Sequence, residues 1–362
     1  MRPTRRRLLL APLALGVAAA ADPRRAPAAD APERRTRAAR RGLDAIYRSA
    51  QVPKNFADHG DDYLWAFYNI SVTAADPVLA SAARRMGQRC ALAWRRSHPV
   101  VPPDANSDQV YEFAGASRCA DRLGAPDERM HDDLARAATR FKAEDFFWFD
   151  PAREPPPDDV PDTCGQCGRD NVRGRRTCAY CGAQLDMQSP YDVLSSALIV
   201  AFVGESYGVR LGAGYPEVTG LLPRMRPYRG YEGGDNPDFE SIAYAVTHIV
   251  YTLNDYSALR LRPDWLPDEF AFLKQNISAN IQSGDGELLG EFMDSLKGFG
   301  VGDQDPDIER ASRYLLRTQH RDGSWGDGSP YHPTWTAVDG LRDYAFQREG
   351  ASFPAALARA RG

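Results

Sequence analysis

The chain has 362 residues, 43% of them hydrophobic, enough for one large core or two modest ones. Its formal charge is −4, but the first 21 residues hold four arginines and no acid, so 41 basic residues face 49 acidic ones in the remainder. A mildly acidic body of that kind excludes a sequence-independent grip on nucleic acid, which needs a basic stripe.

Residues 1–21 read as a secretory signal. Arg5-Arg6-Arg7 precedes a short apolar run, and Ala19-Ala20-Ala21 offers a small-residue cleavage site. The paired arginines look like a twin-arginine export signal, which places the mature protein in the periplasm or outside the cell. The other reading is a short membrane anchor, although the run falls well short of the roughly 20 residues a span needs. No other stretch of the mature chain is apolar enough to span. Residues 22–35, rich in Ala, Pro and Arg, read as a flexible leader.

The 3.6-residue period of amphipathic helices dominates the rest. One set of helices, aromatic and weakly charged, falls near 60–73, 107–122, 190–206, 238–256, 285–299 and 332–348. A second, Arg-rich set alternates with it near 36–50, 75–97, 126–146, 214–226, 265–282 and 305–319. Asp76-Pro77, Ser189-Pro190, Pro267-Asp268 and Asp305-Pro306 mark starts, and Gly204, Gly208, Gly300 and Gly323 mark ends. Strict alternation at about 45 residues predicts an all-α fold closed as an (α/α)6 toroid, six inner helices inside six outer ones. Its first half would be 36–150 and its second 188–350, with 351–362 as a tail. An open solenoid or two helical bundles are the competing architectures.

Between the halves lies a different module. Cys164-x2-Cys167 and Cys178-x2-Cys181 sit inside 151–187, behind a Pro-rich linker. Two cysteine knuckles at this spacing form a closed shell of four thiolates and resemble a zinc ribbon, in which zinc is structural. Two disulfides are the alternative in an oxidising compartment. Cys90 and Cys119 read as small buried helix residues, with a mutual disulfide as the other option.

Gln319-His-Arg-Asp322-Gly323-Ser324-Trp325-Gly326 resembles the Gln-Trp repeat turn of the terpenoid cyclase and protein prenyltransferase superfamily. In that turn Gln319 would cap the outer helix and Trp325 would plug the gap between repeats. Tyr331-His332-Pro-Thr-Trp335 resembles the stretch that carries a zinc-binding histidine in prenyltransferase catalytic subunits. The resemblance implies a metal centre of Asp285, Glu287 and His332, with Glu287 in the place of that family's cysteine. Two carboxylates and an imidazole suit zinc or a harder divalent ion, so a second metal is expected there. The loss of the soft ligand puts peptide-thiol activation in doubt. The Asp-x-Asp-Asp motif of the cyclases is absent, and Asp303-Gln-Asp305-Pro-Asp307 reads as a helix start.

Inner helices of a toroid direct one end toward a funnel. Asp61, Asp62, Tyr111, Glu112, Tyr191, Asp192, Glu240, Tyr244, His248, Asp285, Glu287, Glu291, His332 and Trp335 lie near those ends or on inner faces. His248 and Glu291 are the candidate catalytic residues, as general base or as support for a metal. Each site residue also has a plain structural reading: Asp285 and Glu287 as first-turn acids, His332 as a backbone-bonded turn residue, His248 as a core histidine. His59, His98 and His131 are read as surface residues.

Three functions compete. The first is an exported hydrolase- or lyase-like enzyme acting on a glycan or another extracytoplasmic substrate in the funnel. The second is a non-catalytic scaffold that docks a protein through the ribbon. The third is an isoprenoid cyclase or prenyltransferase-like enzyme.

Overall fold

The computed structural model describes residues 31–327, 329, 331–349 and 354–361. The export signal and most of the leader expected for residues 1–35 lie outside them.

The described chain is all-α apart from one two-residue parallel pairing, Leu259–Arg260 with Arg348–Glu349. Its helices are α1 (Ala31–Ala50), α2 (Pro53–Thr73), α3 (Pro77–Ser97), α4 (Ser107–Arg122), α5 (Glu128–Ala138), α6 (Ala143–Phe147), α7 (Pro190–Tyr207), α8 (Tyr215–Thr219) and α9 (Leu222–Met225). They continue as α10 (Phe239–Leu253), α11 (Pro267–Ser283), α12 (Gly286–Gly298), α13 (Pro306–Thr318), α14 (His332–Leu341) and α15 (Pro354–Ala360).

Capping chemistry sets most of these starts. Asp76 accepts from the amides of Val78 and Leu79, Ser189 and Asp192 form a reciprocal capping box, and Asp305 accepts from Asp307. Asp305 is therefore a cap, as its place in the sequence suggested.

Several boundaries differ from the sequence reading. Helix α1 begins at Ala31, so part of the expected leader is helical. The helix expected over 126–146 is two pieces, α5 and α6, and that over 214–226 is α8 and α9, broken around Gly220 and Pro223. Helix α10 stops at Leu253, before a left-handed turn, and α14 stops at Leu341 rather than 348. The expected tail contains α15.

Packing follows the alternation. Helix α2 lies on α4, α4 on α7, α7 on α10, α10 on α12, and α12 on α14. The intervening helices lie against these: α3 on α2 and α4, α11 on α10 and α12, α13 on α12 and α14, α1 on α14 and α2. The end of the series meets its beginning. The Ala75 amide donates to the Asp343 carbonyl at 2.9 Å, the Ala345 amide donates to Thr73 at 2.8 Å, and the Tyr331 ring lies 5.0 Å from that of Tyr63. Helix α7 is buried along most of Leu194–Val203, with Ser196 exposed, and so needs little polar face, which accounts for its largely apolar run.

The Gln319–Gly326 turn ties α13 to α1 and α14. Trp325 is buried, and its indole N–H donates to the Leu315 carbonyl at 2.8 Å, so this tryptophan meets the open end of α13. Gln319 closes its own helix through its backbone N–H, which donates to the Leu315 carbonyl at 3.2 Å, but its side chain turns elsewhere. Its amide donates to the Ala38 carbonyl of α1 and to Gly323, each at 2.9 Å. Gly323 has φ +95°, and a Cβ there would meet the Arg41 carbonyl oxygen at 2.6 Å.

Two helix backbones approach closely where α12 meets α14. A Cβ on Gly290 would fall 2.4 Å from the Thr336 carbonyl oxygen. Gly290→Ala should therefore destabilise the protein by about 3 kcal/mol, since backbone rather than a side chain must give way. Urea unfolding monitored by circular dichroism checks this, and a loss under about 0.5 kcal/mol, the scale of ordinary surface substitutions, would refute it.

Candidate active site and metal centre

Residues 98–106, 148–189, 226–238 and 319–331 are long connections that lead into α4, α7, α10 and α14. The cysteine module lies in the connection into α7, and the first turns of α10, α12 and α14 carry the candidate site.

Glu287 in the first turn of α12 meets His332, the first residue of α14, with Nδ1 2.8 Å from Oε1. The Tyr244 hydroxyl of α10 reaches Glu287 at 3.4 Å. Burial opposes the charge on His332, but Glu287, with help from Glu291 and Asp62, holds its pKa up at about 9. The reciprocal effect keeps Glu287 below its ordinary value despite burial. The pair is thus an imidazolium beside a carboxylate.

One helical turn deeper, Glu291 is 1% exposed. Burial pushes its pKa up to about 8, against the pull of His332 and Thr247. The geometry agrees with a neutral carboxyl. Thr247 Oγ1 lies 2.6 Å from Glu291 Oε2 and 3.0 Å from the Tyr244 carbonyl, yet a hydroxyl has one proton to give. A proton on Glu291 satisfies both contacts.

His248 shares that carbonyl. Its Nδ1 lies 2.6 Å from the Tyr244 oxygen, which fixes the proton on Nδ1 and leaves the lone pair on Nε2. Among the described residues Nε2 has no hydrogen-bond partner, and it is not among the sealed polar atoms of the interior. Burial lowers the His248 pKa to about 4, with the Tyr244 bond opposing and the His332 charge assisting. Two histidines within electrostatic range of each other therefore hold opposite protonation states.

Asp285 is occupied differently from the resemblance's expectation. It is the N-cap of α12, and Oδ1 accepts from the amides of Glu287 and Leu288 at 2.9 and 3.1 Å. Asp285, Glu287 and His332 do not gather their ligand atoms as the cysteines do; what the structure brings together is the Glu287–His332 pair. Glu240, at the start of α10, joins the acidic margin. Burial, Asp285, Glu287 and Asp192 raise its pKa to about 7.

The aromatic lining includes a residue the helical pattern could not reveal. Asp255, Tyr256 and Ser257 are three consecutive non-glycine residues with φ of 53°, 50° and 67°. Left-handed backbone at such residues is strained and concentrates at functional positions. The turn is pinned by the Ser257 hydroxyl donating to Asp294 at 2.6 Å and by Arg118 at 3.4 Å from Asp255. It presses the half-buried Tyr256 ring against Trp65, Phe202 and Tyr251, with centroids 4.8, 5.2 and 5.7 Å away. Tyr256 also feels the charges of Glu291 and Asp62, which ties it to the same site. The Tyr331 hydroxyl contacts Asp62, and the His59 ring lies 4.9 Å from Tyr331. His59, His98 and His131 lie partly exposed at the surface; His98 stacks on Trp94 at 4.7 Å.

The second centre is the cysteine module. Sγ atoms of Cys164 and Cys181, and of Cys167 and Cys178, are 3.6 Å apart, and all four lie within 4.8 Å of one another. Sulfurs bonded to each other would sit near 2.05 Å, so the structure does not pair these as disulfides. Tetrahedral zinc with bonds of about 2.3 Å requires edges of about 3.8 Å, and the observed separations fit it. Amide donors face the sulfur: Asn171 Nδ2 and the Tyr180 N–H lie 3.6 and 3.5 Å from Cys178 Sγ. Four cysteines so placed could hold a metal ion such as zinc. Among the described residues no other set of His, Cys, Asp or Glu converges as tightly. Cys90 and Cys119 are buried free thiols, not a disulfide.

No family model, curated protein or solved structure matches the chain.

Proposed function

We propose that the protein is an exported α/α-toroid enzyme performing acid–base chemistry, hydrolysis or elimination, on a glycan, with a structural zinc in its cysteine ribbon. The toroid reading is supported by the cyclic succession of helix contacts and by the hydrogen bonds that join Asp343 and Ala345 to Thr73 and Ala75. The catalytic reading is carried by the two histidines in opposite protonation states. His248 offers an unprotonated Nε2 as base, and His332, kept cationic by Glu287, offers a proton or a positive charge. In hydrolysis His248 would take a proton from the attacking water while His332 protonates the departing sugar oxygen. In elimination His248 would take the proton from carbon, and the leaving oxygen would again be protonated from the His332 side. Tyr244, Tyr251, Tyr256, Trp65 and Trp335 supply rings on which sugars stack.

Glu291 is too deep to touch substrate, so its role is positioning: its proton runs through Thr247 to the carbonyl that orients His248. The divalent metal expected of Asp285, Glu287 and His332 would require Asp285 to leave its cap, and the acid–base reading does without it. Among the described residues no helix is long and apolar enough to cross a membrane.

The test is a screen of neutral, amino-sugar and uronate polysaccharides with the mature protein. New reducing ends mark hydrolysis, and an ultraviolet-absorbing unsaturated end marks elimination. His248→Ala should lower either activity about 10²–10⁴-fold with an unchanged melting temperature. Full activity in His248→Ala would sink the proposal. The scaffold reading rests on a separate observation: on the ribbon, Val172 and Tyr180 are 63% and 56% exposed, a surface suited to docking a protein.

A further inference from the structure

On the outer layer, a cleft of about 350 Å³ opens between three stretches of chain that are far apart in sequence. Pro151–Glu154, the stem that leads into the cysteine module, forms one wall. The α8–α9 segment, from Glu217 to Arg224, forms the second, and Arg359 of α15 closes the third. Each wall contributes one arginine: Arg153, Arg224 and Arg359.

The cleft also has two glutamates, but both are committed elsewhere. Glu154 accepts a two-pronged contact from Arg173, at 2.7 and 3.2 Å. Glu217 pairs with Arg210 at 3.3 Å and accepts from the Gly214 amide. The arginines are correspondingly under-neutralised. Arg224 has no ion pair among the described residues. Among the described residues Arg359 reaches the Pro216 carbonyl, at 3.4 Å, and no carboxylate. Arg153, itself 80% exposed, has Asp150 at 3.1 Å, an interaction of small worth where one partner is in water.

Three arginines lining one concave surface repel one another unless an anion joins them. Their planar forks match the oxygens of sulfate, phosphate and carboxylate, and several such donors around one group give strong, directional recognition. We propose that this cleft is an oxyanion-binding subsite, separate from the histidine site, that takes a sulfate-, phosphate- or carboxylate-bearing group. It is filled either by a free ion or by the charged group of a polymer. The inference does not depend on the chemistry assigned to the histidines.

The test uses titration calorimetry on the mature chain at low salt, with inorganic sulfate in one arm and dextran sulfate or polygalacturonate in the other. Wild type, the Arg224→Ala/Arg359→Ala double variant and a control, Arg37→Ala, are compared; Arg37 lies on exposed α1 beside Glu33. Saturable sulfate binding that weakens at least tenfold in the double variant and not in the control is the expected result. Polymer bound at least tenfold more tightly than sulfate, with the same dependence on the arginines, identifies a chain as the source. Equal affinity identifies a free ion. Non-saturable binding, or equal losses in the double variant and the control, overturns the proposal. A melting temperature within a few degrees of wild type shows that the double variant is folded.

Discussion

Removing the metal from the cysteine module should unfold residues 151–187 and leave the helical body standing. The module has almost no core of its own: its buried cluster consists of Cys164, Cys178 and Leu185, with Ala183 packed beside them. Burying so little apolar surface cannot offset the entropy of ordering some 35 residues. Metal binding of about 10–16 kcal/mol can, and in such modules it is the folding free energy. Purified protein is therefore expected to carry one zinc per chain, lost in Cys164→Ser/Cys178→Ser. Trypsin should then cut at Arg169, Arg173, Arg175 and Arg176, while circular dichroism at helical wavelengths and the melting temperature of the body change little. Zinc-free protein that resists trypsin in this segment would refute the argument. A second equivalent of metal that disappears in His332→Ala would instead restore the divalent centre expected from the resemblance.

The sequence showed most of what depends on period and on caps. Helical alternation located α3, α4, α7, α12 and α13 closely because their apolar stripes and N-caps are local features, whereas α2 begins at Pro53, seven residues before the expected start. It also singled out Glu287, His332, His248 and Glu291, because first-turn and same-face spacing are readable without tertiary structure. What it could not show was competition for those groups. Asp285 satisfies two amides of its own helix, and nothing in Asp-Gly-Glu distinguishes a cap from a ligand. The Gln319 side chain serves α1 rather than the helix it follows, a contact spanning 281 positions. Tyr256 was hidden for another reason: Asn254-Asp-Tyr-Ser contains no glycine, so its left-handed turn has no compositional mark. The fracture of α8 from α9 did carry a mark, in Gly220 and Pro223, that the helical period outweighed.

Activity should hold a plateau from about pH 4 to about pH 8, and Glu291→Gln should extend its alkaline edge toward pH 9. The acid limb belongs to His248: below about pH 4 its Nε2 gains a proton and ceases to be a base. The alkaline limb belongs first to Glu291, whose proton is lost near pH 8, breaking the path through Thr247 to the Tyr244 carbonyl. A glutamine amide donates to Thr247 at every pH, so the variant should keep activity within about tenfold of wild type. Its alkaline limb should then follow His332, at about 9. Stability gives an independent readout. Glu291 binds its proton more tightly folded, at about 8, than at its ordinary 4.5, so the folded state holds more protons between those values. Stability must therefore fall as pH rises from 4.5 to 8, by roughly 5 kcal/mol. His332, raised from 6.5 to about 9, stabilises fully below 6.5 and loses that contribution on rising to 9, in the same direction. Glu291→Gln should flatten the first part of the decline and keep the second, while His332→Ala should remove the second. Glu291→Gln protein that destabilises with pH as steeply as wild type between 4.5 and 6.5, where His332 does not yet titrate, would mean that the buried carboxyl is already ionised. The neutral link between Glu291 and His248 would then fail, whatever substrate the site takes.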